Sequence, residues 1–461
     1  MNHSPCAYVY REDNEGNGSA YEANRGRFRH PRIALASWRE RRGIRMKRGK
    51  RLLAALLGGL FIGSFPLGTL AEEAPAVIVD TETGETAEEL MAEDANEVWE
   101  PVGTVPAESA ALDIGGKSAV LMEQSSGEIL FEKNPHEKLP IASVTKVMTL
   151  LLVMEALDEG VITLDEPVTC SPTAASMGGS QIWLEVGEVM TVDELVKAAA
   201  VVSANDACAA LAEHLAGSVE EFVARMNQRA AELGMNDTLF LDCSGLNDEA
   251  YSSAYDVAVM SRELMKHPKI VDYTTIWMDS LRGGASQLVN TNKLVRHYAG
   301  ATGLKTGTTS KAGHNLSATA ERDGLAFVAV ILGCETTDER FGGARKMLDY
   351  GFANYSIYTP QVDTDALPSV PVLHGVSEIT IPVADEIQPI LLRKGQEKQV
   401  TCTTELAEDL EAPVYEGQVI GQILVMLDGE KIAEYPIRAS EGVARLGFGG
   451  AFWKLLAALL G

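Results

Sequence analysis

Three short clusters in this chain have the residue types and spacing for nucleophilic catalysis at a serine. The first is Ser143-Val144-Thr145-Lys146, preceded by Pro140 and followed by an apolar run to about Leu157. A proline just ahead of such a run marks a helix start. Ser143 then falls at a helix N-terminus, where free N–H groups and the dipole favour developing negative charge. Lys146, three residues on, shares a face with it. A serine hydroxyl attacks a carbonyl well only when a base takes its proton, and a lysine whose pKa falls on burial can be that base. Alone, the pattern equally describes an N-cap serine followed by a solvated lysine. Two more clusters, Ser203-Ala204-Asn205 and Lys305-Thr306-Gly307, begin 60 and 162 residues after Ser143. In isolation the former is a helix cap and a turn. Together they add a hydroxyl, an amide and a cation, the groups needed to pass a proton and to hold a carboxylate-bearing substrate.

Ser-x-x-Lys, Ser-x-Asn and Lys-Thr-Gly in that order are the signature of penicillin-binding proteins and class A β-lactamases. The likeness extends beyond them. Residues 303–333, GLKTGTTSKAGHNLSATAERDGLAFVAVILG, together with Gly178-Gly179-Ser180, Ser253-Ala254-Tyr255-Asp256 and Asn290-Thr291-Asn292, resemble the serine D-alanyl-D-alanine carboxypeptidases, the low-molecular-mass penicillin-binding proteins. The resemblance runs from about Ala111 to the C-terminus. It implies an α/β (α+β) fold: a β-lactamase/penicillin-binding-protein-like catalytic domain with a sheet covered by helices, then a small all-β domain. It implies an acyl-enzyme reaction on peptidoglycan stem pentapeptides ending in D-Ala-D-Ala, with β-lactam antibiotics as inhibitors. Ser143 is then the nucleophile and Lys146 its base. Ser203 relays a proton to the leaving amine. Asn205 holds the substrate amide and orients Lys146. Lys305, helped by Thr306, binds the terminal carboxylate. Gly307 lets the strand come close to the substrate, and the N–H groups of Ser143 and Thr308 form the oxyanion hole. No metal or organic cofactor is implied. Ala204 stands where glycine is common in the family, a methyl that trims the pocket at most.

Two other readings compete. A class A β-lactamase also needs a Glu-x-x-x-Asn segment, and Glu232…Asn236 matches it formally. Gly234 inside that segment looks like a helix C-cap, however, and the following β-domain and apolar tail disfavour a β-lactamase. A non-catalytic peptidoglycan-binding protein would be expected to lack a motif residue, and none is missing.

Composition sets outer bounds. The 461 residues suffice for two or three domains. A net charge of −26 argues against nucleic acid as a partner. The six cysteines (Cys6, Cys170, Cys208, Cys243, Cys334, Cys402) form no CxxC pair, and the eight histidines make no ligand spacing. Cys6 precedes the export signal, which leaves an odd five. Cys208 and Cys334 lie in apolar stretches and are expected as buried thiols.

In chain order, residues 1–45 are Arg-rich and lack apolar periodicity. They precede a second start at Met46, with a cytoplasmic tail as the alternative. Residues 46–71 carry a basic stretch, an apolar stretch and the small-x-small site Thr69-Leu70-Ala71, a secretory signal peptide. Residues 72–110 are acidic and proline-bearing, a disordered linker. The catalytic domain is expected over 111–360. It begins with a hairpin from Ser118–Glu123 to Ile129 and has helical runs at 195–202, 206–215, 219–234, 254–266 (capped by Ser253) and 341–355. Strands are expected at 289–294, 303–308 and 327–332, the last buried and central. Ser203 and Asn205 are placed on a loop between two helices. Residues 370–442 are rich in Val, Ile and Thr with turns at Lys394-Gly395, Glu416-Gly417 and Asp428-Gly429, a β-domain with no chemistry of its own. Residues 443–461 end the chain in an apolar helix with Trp453. The segment is short for a span and suits the outer face of the cytoplasmic membrane; docking on the protein's own core is the alternative.

Overall fold

The computed structural model describes Ala76–Val77 and residues 105–460. The expected signal peptide and the stretch before it lie outside the described residues.

The catalytic domain is built on a five-stranded antiparallel sheet. Its strands are β1 (Ser118–Glu123), β2 (Ile129–Lys133), β5 (Ala301–Thr309), β6 (Gly313–Arg322) and β7 (Leu325–Cys334), in the order β2-β1-β7-β6-β5. The hairpin at the start and the central position of 327–332 are as expected from the sequence. Side chains on a strand alternate between faces, and β7 divides accordingly. Val328, Val330 and Leu332 enter one core, while Phe327, Ala329 and Ile331 enter a second on the opposite face. Burial on both faces is why this strand reads as a continuous apolar run.

The first core is helical. It joins α1 (Lys146–Asp158), α2 (Val192–Val201), α3 (Asn205–Ala216), α4 (Val219–Glu232) and α5 (Ala254–Leu264). α1 is buried almost all round, with Val147, Met148, Leu150, Leu151, Val153 and Met154 inside. A fully buried side chain of this size contributes roughly 1.5–3 kcal/mol, so α1 is anchored by its packing. Caps fix where the neighbouring helices begin. Thr191 and Glu194 make a reciprocal capping box on α2. Ser253 Oγ accepts the Asp256 N–H at the head of α5. The second core is roofed by α6 (Thr337–Asn354) through Phe341, Ala344, Met347 and Leu348.

Several expectations are corrected. Residues 289–294 are not a strand. A hairpin of β3 (Met278–Leu281) and β4 (Ser286–Val289) ends there, and Asn290 and Asn292 turn the chain: Asn292 N donates to Asn290 Oδ1, and Leu294 N to Asn292 Oδ1. Such side-chain acceptors compete with a strand ladder. Within the acidic stretch, Ala76–Val77 pair in parallel with β4 at Ser286 and Gln287 rather than staying unpaired. The cysteines agree with expectation: Cys208 and Cys334 are buried free thiols, as are Cys170 and Cys243, and Cys402 is a half-buried one.

The C-terminal domain has its own core around Val370, Ile423, Val425 and Ile437. Its main sheet pairs β8 (Pro382–Ala384), β9 (Val400–Leu406), β10 (Val419–Leu427) and β11 (Glu430–Ala439) in the order β8-β11-β10-β9. The Asp428-Gly429 turn joins β10 to β11 as the sequence indicates, with φ positive at both residues. The chain ends in α7 (Phe448–Leu460).

Candidate active site

The three clusters meet at one place. Ser143 lies in a 3-10 turn, Ala142–Thr145, that runs directly into α1, so the expected helix start is one tight turn rather than the first residue of α1. Ser143 is half-buried and Lys146 is wholly buried. Lys146 Nζ lies 3.0 Å from Ser143 Oγ, 2.6 Å from Asn205 Oδ1 and 2.8 Å from Ser244 O. The last two atoms can only accept. They take two of the Nζ N–H bonds, so that a deprotonated Lys146 would aim its lone pair at the serine hydroxyl. That is the orientation a proton acceptor requires.

Asn205 is the first residue of α3 rather than part of a free loop, and its side chain is fixed at both ends. Oδ1 accepts from Lys146, and Nδ2 donates to Gly178 O at 2.7 Å. The Asn205 N–H donates to Ser180 O. This explains the presence of Gly178-Gly179-Ser180 beside the site. A Cβ on Gly179 would lie 2.7 Å from Asn205 Nδ2. The neighbouring Asp206 is buried, and its two carboxylate oxygens accept the Ile182 and Leu184 N–H groups, tying the 178–184 loop to the head of α3. Burial raises the Asp206 pKa, opposed by these backbone N–H groups.

Ser203 has φ +63, a left-handed conformation that costs a non-glycine residue free energy. Its Oγ is fully buried and has no hydrogen-bond partner among the described residues. An unsatisfied buried hydroxyl is costly, and this one adjoins Asn205 with its donor and acceptor both unused among the described residues.

The third cluster lies on β5. Lys305 and Thr306 are buried, with Lys305 Nζ on Thr306 O at 2.9 Å and Thr306 Oγ1 on Thr291 Oγ1 at 2.6 Å. Gly307 also lies close to the protein itself. A Cβ there would lie 2.7 Å from Ile141 O and 2.9 Å from Ser143 N, so its absence brings β5 against the Ser143 turn itself.

Four contributors carried no signal in the sequence. Ser244 supplies only a carbonyl. Asp242 holds that carbonyl's loop: its carboxylate accepts the N–H groups of Ser244 (2.7 Å), Gly245 and Asn247. Gly245, at φ +87, packs on the Ala142 carbonyl. Arg340 in α6 is buried and donates from Nη1 to Thr308 Oγ1 at 3.0 Å. Only Asp206 could have been found, because it adjoins Asn205 in sequence. Burial pushes the thiol of Cys208, on α3, up to about 11 against the opposing charges of Lys146 and Lys305, which keeps it protonated.

Glu232 does not belong to the site. It sits at the end of α4, 3.5 Å from Arg229 and hydrogen-bonded to Gln228; Leu233 is the C-cap, and Gly234 follows it at φ +74, one residue beyond the expected cap position. The β-lactamase reading loses its water-activating carboxylate.

Comparison with known proteins identifies the family. Residues 104–336 match the family described as D-alanyl-D-alanine carboxypeptidase, and residues 362–445 match the penicillin-binding protein 5 C-terminal domain. The chain is 42% identical over 337 residues to the D-alanyl-D-alanine carboxypeptidase DacF of Bacillus subtilis, covering 72% of this chain and 87% of the relative. It is 33% identical over 356 residues to DacC of Escherichia coli, covering 75% and 88%. Among solved structures, penicillin-binding protein 5 of Haemophilus influenzae superposes with a TM-score of 0.65 at 31% identity, covering 74% of this chain and all of that one. With the motifs assembled and both domains matched, the chain belongs to the serine D-alanyl-D-alanine carboxypeptidase family.

Proposed function

We propose that Ser143 is the residue acylated during removal of the terminal D-alanine from peptidoglycan stem pentapeptides. The observation that carries this is the Lys146 amine held 3.0 Å from Ser143 Oγ by two acceptor-only neighbours. Lys146 takes the hydroxyl proton as Oγ attacks the carbonyl of the penultimate D-alanine. The Ser143 and Thr308 N–H groups receive the developing oxyanion, an interaction worth a few kcal/mol per donor. Lys305 and Thr306 hold the terminal carboxylate, and Ser203 Oγ passes a proton to the departing amine. Asn205 orients Lys146 and offers its amide to the substrate backbone. Water then releases the acyl group. A β-lactam acylates the same Ser143. The test is D-alanine release from a pentapeptide: one equivalent from the wild-type enzyme, none above background from Ser143→Ala. Release that survives this substitution rules out Ser143.

The enzyme works outside the cytoplasm, at the outer face of the membrane, with residues 111–360 as the catalytic domain and 370–442 as a spacer. The support is α7, whose Phe448, Phe452, Trp453, Leu455, Leu459 and Leu460 are exposed rather than docked on the protein core. Thirteen residues span about 20 Å, less than a bilayer's hydrocarbon of about 30 Å, and no described helix is long and apolar enough to cross a membrane. An interfacial position satisfies both facts. Protein carrying α7 is expected to sediment with phospholipid vesicles, and protein ending at Arg445 to stay in solution. Equal sedimentation of the two would discard the anchor.

A further inference from the structure

β5 gives the cleft a direction. On the reading above, Lys305 and Thr306 hold the carboxylate at one point of the strand, and the Thr308 N–H holds the scissile carbonyl further along. The part of the substrate upstream of the scissile bond then continues past Thr308 toward Thr309 and Lys311. A strand advances about 3.3 Å per residue, so the residue before the penultimate D-alanine passes the turn between β5 and β6.

That turn is fastened to the loop that supports the nucleophile. Thr309 Oγ1 donates to Asp248 Oδ1 at 2.8 Å and accepts the Ala312 N–H at 3.0 Å, which fixes the turn. Lys311 Nζ, at its tip, meets Glu249 Oε1 at 2.6 Å. Asp248 and Glu249 follow directly on the segment in which Ser244 O binds Lys146 and Gly245 packs on Ala142. One hydrogen bond and one ion pair therefore border the path of the upstream residue. The ion pair is open to water, with Lys311 48% and Glu249 80% exposed, and an exposed pair of this kind is cheap to separate.

We propose that Lys311 and Glu249 read the side chain of the third stem residue, and that they select one carrying both an ammonium and a carboxylate group. Such a side chain exchanges partners with the existing pair. Its ammonium takes Glu249, with Asp248 adjacent, and its carboxylate takes Lys311, so no charge is left without a counterpart. A side chain with only an ammonium competes with Lys311 for Glu249 and offers Lys311 nothing. The inference rests on the carboxypeptidase reading, because that reading sets the direction of the substrate.

The experiment compares kcat/KM for three pentapeptides that differ only at the third residue: diaminopimelate, diaminopimelate amidated at its side-chain carboxyl, and L-lysine. Wild-type enzyme is expected to prefer the first about fivefold over the other two. Lys311→Ala is expected to bring the ratio to about one, by lowering the first and raising the other two, whose ammonium no longer competes with Lys311 for Glu249. Glu249→Gln is expected to lower all three, since each carries an ammonium. No preference in the wild type, or a Lys311→Ala variant that slows all three peptides by one factor, overturns the proposal and leaves the bridge as a simple latch. If wild-type enzyme releases D-alanine from none of the three, the carboxypeptidase reading has failed first.

Discussion

Lys146→Ala is expected to slow acylation of Ser143 by about three orders of magnitude or more while the protein stays folded. A general base contributes about 10²- to 10⁴-fold, and groups that act as a unit lose most of their joint effect when one is removed. Lys146 is wholly buried and holds three partners at once. Its removal therefore also strands Asn205 Oδ1 and Ser244 O, at a cost of about 1–3 kcal/mol each if water does not enter. Stopped-flow or quenched acylation with a labelled penicillin measures the rate, and thermal unfolding measures the stability loss separately. Acylation at the wild-type rate in this variant would mean that another group takes the Ser143 proton.

The second large effect is expected from a residue with no functional side chain. Gly245→Ala should lower the acylation rate by about 10²-fold, the usual consequence of misplacing a catalytic group by about 1 Å. The added Cβ would sit 1.9 Å from Ala142 O and 2.9 Å from Ser143 N, both backbone atoms that cannot rotate aside. Either the Ser143 turn or the 242–247 loop moves, and the second movement takes Ser244 O away from Lys146. The positive φ adds strain of about 1–2 kcal/mol. Gly234→Ala separates the two causes. It has φ +74 but nothing within 4 Å of its Cβ, so it carries the strain without the clash. It should lose a little stability and keep its acylation rate. Equal losses in the two variants would show that backbone strain alone accounts for the effect.

These two positions also show what the sequence could and could not convey. Ser143, Lys146, Ser203, Asn205, Lys305, Thr306, Gly307 and Thr308 are candidates that the sequence offers because their proposed chemistry resides in side-chain types at fixed local spacings, or in residues adjoining them. The structure brings Ser143, Lys146 and Asn205 into hydrogen-bonding reach and sets Gly307 against the Ser143 turn. The sheet was legible through β7, whose two-sided burial leaves an unbroken apolar run. The 242–247 loop was not legible. Ser244 acts through its carbonyl, which every residue has, and Asp242 through contacts with its own loop. Gly245 acts through a contact with Ala142, about a hundred residues away in the chain. Arg340 reaches Thr308 from the far end of the domain. The misreading of 289–294 as a strand has a similar origin. Asn290 and Asn292 cap and turn the chain with their side chains, which outweighs the β-branched and apolar residues around them. The lack of bulk at Gly307 is legible in the sequence, but its closeness to the Ser143 turn is a contact between distant parts of the chain and is not.

The most direct measurement of Ser143 as the acylated nucleophile is intact-mass analysis of the protein after incubation with a labelled penicillin, with Ser143→Ala as the control. The expected result is one adduct per chain that persists for minutes, maps to the peptide containing Ser143 and is absent from the control. Rapid hydrolysis of the penicillin with no lasting adduct, or an adduct that survives in Ser143→Ala, would contradict it.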